Sequence, residues 1–188
     1  MAMIPTHRVN VLTGIKSAKI MEDASQYSGL VRAAKRPLLI IGPMLEQWTV
    51  DGKVAMEYAL EIAKAGNIPI CATATTRKRL LELGVNPDSC YDGVEIVNHL
   101  KDPGWRGVKK EGNHDLVMFF GIRSDLEEQL LSVLKHFAYK HLKTMTLDKY
   151  YFPHANYSLP NFRKLTGWKK FLEDLISDLR QNSATKEG

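Results

Sequence analysis

Hydrophobic positions in this chain fall into short continuous runs that alternate with longer stretches spaced three and four residues apart. Ile20, Ala24, Tyr27, Val31 and Ala34 recur at helical spacing and predict a first helix. Pro37 ends it and opens the apolar run Leu38-Leu39-Ile40-Ile41, closed by Gly42-Pro43. A run that is apolar on both faces marks a strand buried in a parallel sheet. Val54, Ala55, Tyr58, Ala59, Ile62 and Ala63 form the stripe of a second helix, with Gly66-Asn67 as its stop. A second strand follows over residues 68–73. Thr75 or Thr76 then caps a helix through Leu80, Leu81 and Leu83 that ends near Gly84. Asp92 with Glu95 reads as a capping box for a short helix through Val94, Val97 and Leu100. After a polar, irregular segment over 101–114 comes the third strand, Leu116-Val117-Met118-Phe119-Phe120, closed by Gly121. Ser124 and Glu127 read as a second capping box, ahead of the helix face Leu126, Leu130, Leu134 and Phe137 or Ala138. Residues 144–147 form a fourth strand ended by Asp148, and 150–162 look irregular. The last helix starts near Thr166 and buries Trp168, Phe171, Leu172, Leu175, Ile176 and Leu179.

Strands alternating with helices predict an α/β fold with a doubly wound parallel sheet and helices on both faces. The expected organisation is an N-terminal arm over 1–18, a single domain over 19–181 and a frayed tail over 182–188. With 188 residues, 44% hydrophobic and 25% charged, the chain can bury a core without disulfide or metal support. No apolar stretch approaches the roughly 18 residues of a membrane-spanning helix. The first residues lack the hydrophobic segment of a secretion signal, so the cytoplasm is the expected compartment. The net charge of +5 suits an acidic partner or an anionic cofactor. Its cations fall in short, separate clusters such as Arg77-Lys78-Arg79 and Lys109-Lys110, which gives no nucleic-acid footprint.

Several chemistries find no support. The two cysteines, Cys71 and Cys90, are too few for an iron–sulfur cluster or a cysteine-based zinc site. His136 and His141 are not at the spacing that puts two ligands on one helical face, and neither H-E-x-x-H nor C-x-x-C occurs. G-x-S-x-G, G-x-G-x-x-G and the P-loop pattern are also missing.

Ligands of open parallel sheets bind beyond the carboxyl ends of the strands. Here those ends carry Gly42-Pro43-Met44, Thr73 to Thr76, Gly121-Ile122-Arg123 and Asp148-Lys149. Gly42 and Gly121 permit close backbone approach, and Thr73, Thr75 and Thr76 supply hydroxyls near a helix start. Arg123 has the geometry to fork onto phosphate, and Asp148 to accept from ribose hydroxyls. The same residues also serve as plain turns and caps, and Pro43 lacks the N–H that a phosphate-cradling loop uses. Two further segments, residues 100–107 and 150–157, set aromatics among turn residues. They read either as interface anchors or as covers for the sheet edge.

The segments Lys35-Arg36-Pro37-Leu38-Leu39-Ile40-Ile41-Gly42, Asn67-Ile68-Pro69-Ile70-Cys71-Ala72-Thr73, residues 100–107, Gly112-Asn113-His114-Asp115 and Asn156-Tyr157-Ser158 carry, in this order, a resemblance. They resemble the epsilon subunit of the archaeal acetyl-CoA decarbonylase/synthase complex, from about residue 10 to residue 180. The resemblance implies a sheet of about six strands, like the NAD/FAD-binding fold of deoxyhypusine synthase. It also implies a partner, the large alpha subunit of the carbon monoxide dehydrogenase component, which holds the nickel–iron–sulfur centre in an alpha2–epsilon2 assembly. The resemblance implies no assigned catalytic residues. The suggested roles of family members are to stabilise the alpha subunit and to help electrons reach FAD. For FAD, the candidate contacts are Gly42, Met44, Thr73, Thr75, Gly121, Arg123 and Asp148, with Arg123 on the pyrophosphate. The alternatives are a free-standing flavin- or nucleotide-binding electron-transfer module, or an enzyme built on the same scaffold.

Overall fold

The computed structural model describes residues 17–73 and 75–184. In chain order it holds β1 (Lys19–Ile20), α1 (Ala24–Ala33), β2 (Pro37–Ile41), α2 (Met44–Gln47), β3 (Thr49–Val50), β4 (Lys53–Val54), α3 (Ala55–Gly66) and β5 (Ile70–Ala72). There follow α4 (Thr76–Glu82), β6 (Ser89–Cys90), α5 (Gly93–Lys101), β7 (Leu116–Phe120), α6 (Ser124–Phe137), β8 (Lys143–Thr146), β9 (Tyr157–Ser158) and α7 (Leu165–Ala184).

Seven strands form one sheet in the order β1-β9-β8-β7-β2-β5-β6, and every pairing in it is parallel. The chain winds outward from β2 through β5 to β6. It then returns to β7, on the other side of β2, and winds outward again through β8 and β9. The direction of winding therefore reverses between β2 and β7. Side-chain alternation along the central strands divides the core in two. Leu39, Ile41, Met118, Phe120 and Met145 face α1, α3 and α7. Leu38, Ile40, Val117 and Phe119 face α5 and α6. Two buried side chains pin the first layer to the last central strand. Tyr27 Oη donates to Thr146 O at 3.1 Å, and Trp168 Nε1 donates to Leu147 O at 2.8 Å.

The differences from the sequence reading have local causes. The first helix starts at Ala24, not near Ile20, because the Asp23 carboxylate caps it through the Ser25 N–H at 2.9 Å. Lys19 and Ile20 are instead an edge strand. Ser124 and Glu127 form no capping box. The N-cap position is Arg123, without a side-chain cap, and Glu127 is fully buried. The stretch 150–162 contains β9, which pairs with both β8 and β1. Thr49 to Val54 form a small antiparallel hairpin around Asp51-Gly52, both at positive φ. The last helix runs on to Ala184. Most of the expected N-terminal arm, and residues 185–188 of the expected tail, lie outside the described residues.

Candidate functional site

The reversal between β2 and β7 is the place where a doubly wound sheet ordinarily opens a ligand crevice. In this protein the two loops leaving those strands fill it with each other. Gly42 N–H donates to Phe120 O, and Met44 N–H donates to Gly121 O, both at 2.9 Å. A Cβ at Gly42 would stand 2.3 Å from Gly121 O. Gly121 sits at φ +78°, and a Cβ there would meet Leu45 Cγ at 2.2 Å. Both glycines are thus required by a close approach, but of loop to loop rather than of loop to ligand.

The side chains expected to meet a cofactor are arranged accordingly. Thr73 is buried, and its hydroxyl donates to Ile41 O at 2.9 Å. The Thr76 hydroxyl donates to Thr73 O at 2.6 Å. Asp148 is wholly buried, and its Oδ1 accepts the Gly121 N–H at 2.7 Å. It holds the loop shut and is out of reach of a ribose. Arg123 stands in solvent, forked onto Asp125 at 2.6 and 2.8 Å. That hydrogen-bonded carboxylate pushes the guanidinium pKa up. Met44 is half-buried in the interlocked turn, and Thr75 is exposed. The seven residues therefore share one end of the sheet without converging on a cavity. They do not fit a flavin laid across the strand ends. The pocket at this end, about 390 Å³, lies to one side between α2 and α4, where Thr75 is joined by Lys78 and Arg79.

Glu127, which by spacing alone reads as a cap partner, is the unexpected member of this end. It faces Asp148 from the first turn of α6, and both residues are 0% exposed. Neither oxygen of Glu127, nor Asp148 Oδ2, has a hydrogen-bond partner of ordinary geometry among the described residues. Burial raises the Glu127 pKa well above its usual value, and the Asp148 charge raises it further. Burial likewise raises Asp148, to about 7, while the Gly121 N–H and Glu127 act to lower it. Burial and mutual repulsion both disfavour ionising the two facing carboxyls together, so the pair resists giving up its last proton as pH rises.

The aromatic segments divide. Trp105 is half-buried and stacks on His99, with centroids 5.1 Å apart, while Tyr91 meets both rings edge-on. This cluster covers α5. Tyr150 is exposed and lies edge-on to Trp48, with Lys149 Nζ 5.1 and 5.4 Å from the Trp48 and Tyr150 rings. Two of the family-like segments meet at the opposite end of the sheet. There the Asp115 carboxylate accepts the N–H groups of Lys35 and Arg36, each at 2.8 Å. Among the described residues, no group of three or more His, Cys, Asp or Glu side chains is placed to hold a metal ion. Nor is any helix among them long and apolar enough to cross a membrane.

Comparison with known proteins bears out the family resemblance. A family model described as "CO dehydrogenase beta subunit/acetyl-CoA synthase epsilon subunit" matches residues 1–176. The chain is 35% identical over 168 residues to the acetyl-CoA decarbonylase/synthase complex subunit epsilon of Methanothermobacter thermautotrophicus, covering 89% of this chain and 92% of that protein. It is 38% identical over 138 residues to subunit epsilon 1 of the same complex from Archaeoglobus fulgidus, covering 73% and 71%. To subunit epsilon 1 from Methanosarcina barkeri it is 32% identical over 151 residues, covering 80% and 83%. A match over nearly the whole length of both chains leaves one assignment: this chain belongs to the family of CO dehydrogenase beta subunits and acetyl-CoA synthase epsilon subunits.

Proposed function

We propose that this chain is a non-catalytic accessory subunit in the carbon monoxide dehydrogenase (alpha–epsilon) component of an acetyl-CoA decarbonylase/synthase complex. In this reading it binds and stabilises a large nickel- and iron–sulfur-bearing alpha subunit in an alpha2–epsilon2 assembly, in the cytoplasm. The observation that carries the reading is the closed crevice. Where a doubly wound sheet ordinarily receives its ligand, Gly42 and Gly121 bring two loops into contact and Asp148 holds them there. Relatives named as the epsilon subunit of that complex, matched over most of their length, support it. Cys71 agrees: it is buried and its pKa is pushed up to about 11 by burial, which suits a core side chain and not a nucleophile or ligand.

A role in passing electrons to FAD is the second reading, and the pocket beside α4 is what favours it. Lys78 and Arg79 supply countercharge for phosphates there, although Glu46 and Glu82 line the same pocket.

The test is to measure carbon monoxide-dependent dye reduction by the purified chain, by the alpha subunit alone and by the mixture. The half-life of that activity is followed at elevated temperature. No turnover by the isolated chain and a longer-lived alpha subunit in the mixture are expected. Robust turnover by the isolated chain, or no association, would sink the reading. Titration with FAD, with and without Lys78→Ala, decides the second.

A further inference from the structure

The end of the sheet opposite the closed crevice is open and basic. Two adjoining pockets of about 450 and 230 Å³ lie at the amino ends of β2 and β5, and share Asn67, Pro69 and Lys109. The larger has an apolar floor of Leu60, Ala63, Ile68 and Val85, with Lys64 on its rim. The smaller is bounded by Lys35, Arg36 and Lys109, with Glu111 beside them.

Of the three anions that line these pockets, two are already engaged, and the third, Glu111, is exposed without an ion-pair partner among the described residues. Glu61 pairs with Lys53 and with Arg180, and Asp88 accepts the Ile70 N–H at 2.8 Å while pairing with Lys109 at 3.4 Å. Among the described residues, neither Lys35 nor Lys64 has an ion-pair partner, and both are exposed. Further along the same end, the exposed cations Lys101, Arg106, Lys110, Lys140 and Lys143 extend the positive field.

The walls are rigid. Arg36 Nε donates to Asn113 O at 2.6 Å, and the Asp115 carboxylate fixes the Lys35-Arg36 backbone. His114 is buried against Arg36 O at 3.0 Å and accepts the Val108 N–H at 3.2 Å. Burial lowers its pKa, so it is held neutral as part of the wall. Pro37 and Pro69 close two more positions. A rigid groove loses little freedom when it is filled.

We infer that this groove is the docking site for an acidic, amphipathic segment of the partner subunit. Its apolar side chains would sit over Leu60 and Ile68, and its carboxylates would sit on Lys35, Lys64 and Lys109. This rests on the accessory-subunit reading above. An apolar floor beneath a cationic rim matches a polypeptide with both kinds of side chain, whereas free phosphate uses only the rim.

The experiment uses the full chain and the alpha subunit. Affinity is measured by calorimetry at several salt concentrations, and light scattering follows the chain alone. The variants are Lys35→Glu/Lys64→Glu, its neutral form Lys35→Gln/Lys64→Gln, and the opposite-end control Lys78→Glu/Arg123→Glu, each checked for fold by circular dichroism. The expected result is about a tenfold or greater loss for the charge reversal and a smaller loss for the neutral pair. Both should show a flatter salt dependence, with the control within about threefold of the unmodified chain. Unchanged affinity and salt dependence in both groove variants would overturn the inference and leave the accessory reading standing. Self-association of the chain alone, abolished by the groove variants, would overturn it in favour of a second copy. No binding by the unmodified chain would overturn both.

Discussion

Replacing Glu127 with glutamine tests the buried carboxyl pair, and the effect has a definite sign. Burial raises the pKa of Glu127 well above, and that of Asp148 to about 7 from, the values of free carboxyls. The folded chain therefore binds more protons than the unfolded chain between the ordinary carboxyl range and the raised values. Stability then falls as pH rises, because its slope follows the protons bound unfolded minus those bound folded. The contribution is fully present below the unfolded pKa values and is lost as pH rises through the folded ones. One extra proton corresponds to about 1.4 kcal/mol per pH unit wherever the folded chain holds it and the unfolded chain does not. A glutamine side chain keeps the shape, can still donate toward Asp148 and does not titrate. Relative to the unmodified chain, Glu127→Gln should therefore gain about 1.4 kcal/mol per pH unit above the ordinary carboxyl range, for as long as Glu127 holds its proton in the folded chain. For a domain of this size that is a swing of about 3–6 °C in Tm per pH unit. Glu128 and Lys149, the other charges acting on the pair, are unchanged in the variant, so the difference isolates Glu127. The assay is urea unfolding followed by circular dichroism at three pH values. Two stability curves that stay parallel across the interval would refute the shared-proton argument.

Gly121→Ala should destabilise the fold by about 2–4 kcal/mol in the same urea assay. It combines a positive φ of +78° with a clash onto Leu45, and an unchanged midpoint would contradict the loop-to-loop closure. Arg123→Ala should leave both Tm and any FAD affinity unchanged. The Arg123 guanidinium is exposed and forks onto Asp125, so weakened FAD binding would return it to a ligand site. In thiol titration with a disulfide reagent, Cys90 should react at once and Cys71 only on unfolding. Rapid reaction of both thiols in the native protein would show that the β5 core opens easily.

The parts of this fold legible in the sequence are those whose environment is set by burial on both sides. β2 and β7 are unbroken apolar runs because helices cover both of their faces. α7 declares itself through Trp168 to Leu179 because only one stripe of it meets the core. The strands β1, β6 and β9 are two residues each, and they exist only because a neighbour is present to pair with. No periodicity can announce a two-residue strand. The β3–β4 hairpin left a readable mark, the Asp51-Gly52 turn just after the β-branched pair Thr49-Val50. Glu127 left a misleading one. Three residues after Ser124 it fits a capping box, and only the arrival of Asp148 from the loop after β8 shows that it points inward.

The candidate site departs from the sequence reading for a related reason. Position after a strand is a property of sequence order, so sequence alone gathers Gly42, Thr73, Gly121 and Asp148 at one end of the sheet. Whether that end is open depends on what the neighbouring loop does. Here Met44 donates its N–H to Gly121 O, and Asp148 takes the Gly121 N–H, so both backbone polar groups of Gly121 are consumed by the protein itself. A ligand laid across these strands would have to replace both bonds and reopen a contact made possible by two glycines. The amino ends offer the reverse: rigid walls, an apolar floor, and the exposed cations Lys35 and Lys64 without ion-pair partners among the described residues. A scaffold whose β2–β7 crevice is filled by its own loops and whose opposite end stays open and charged favours contact with another protein there over a small molecule in the crevice.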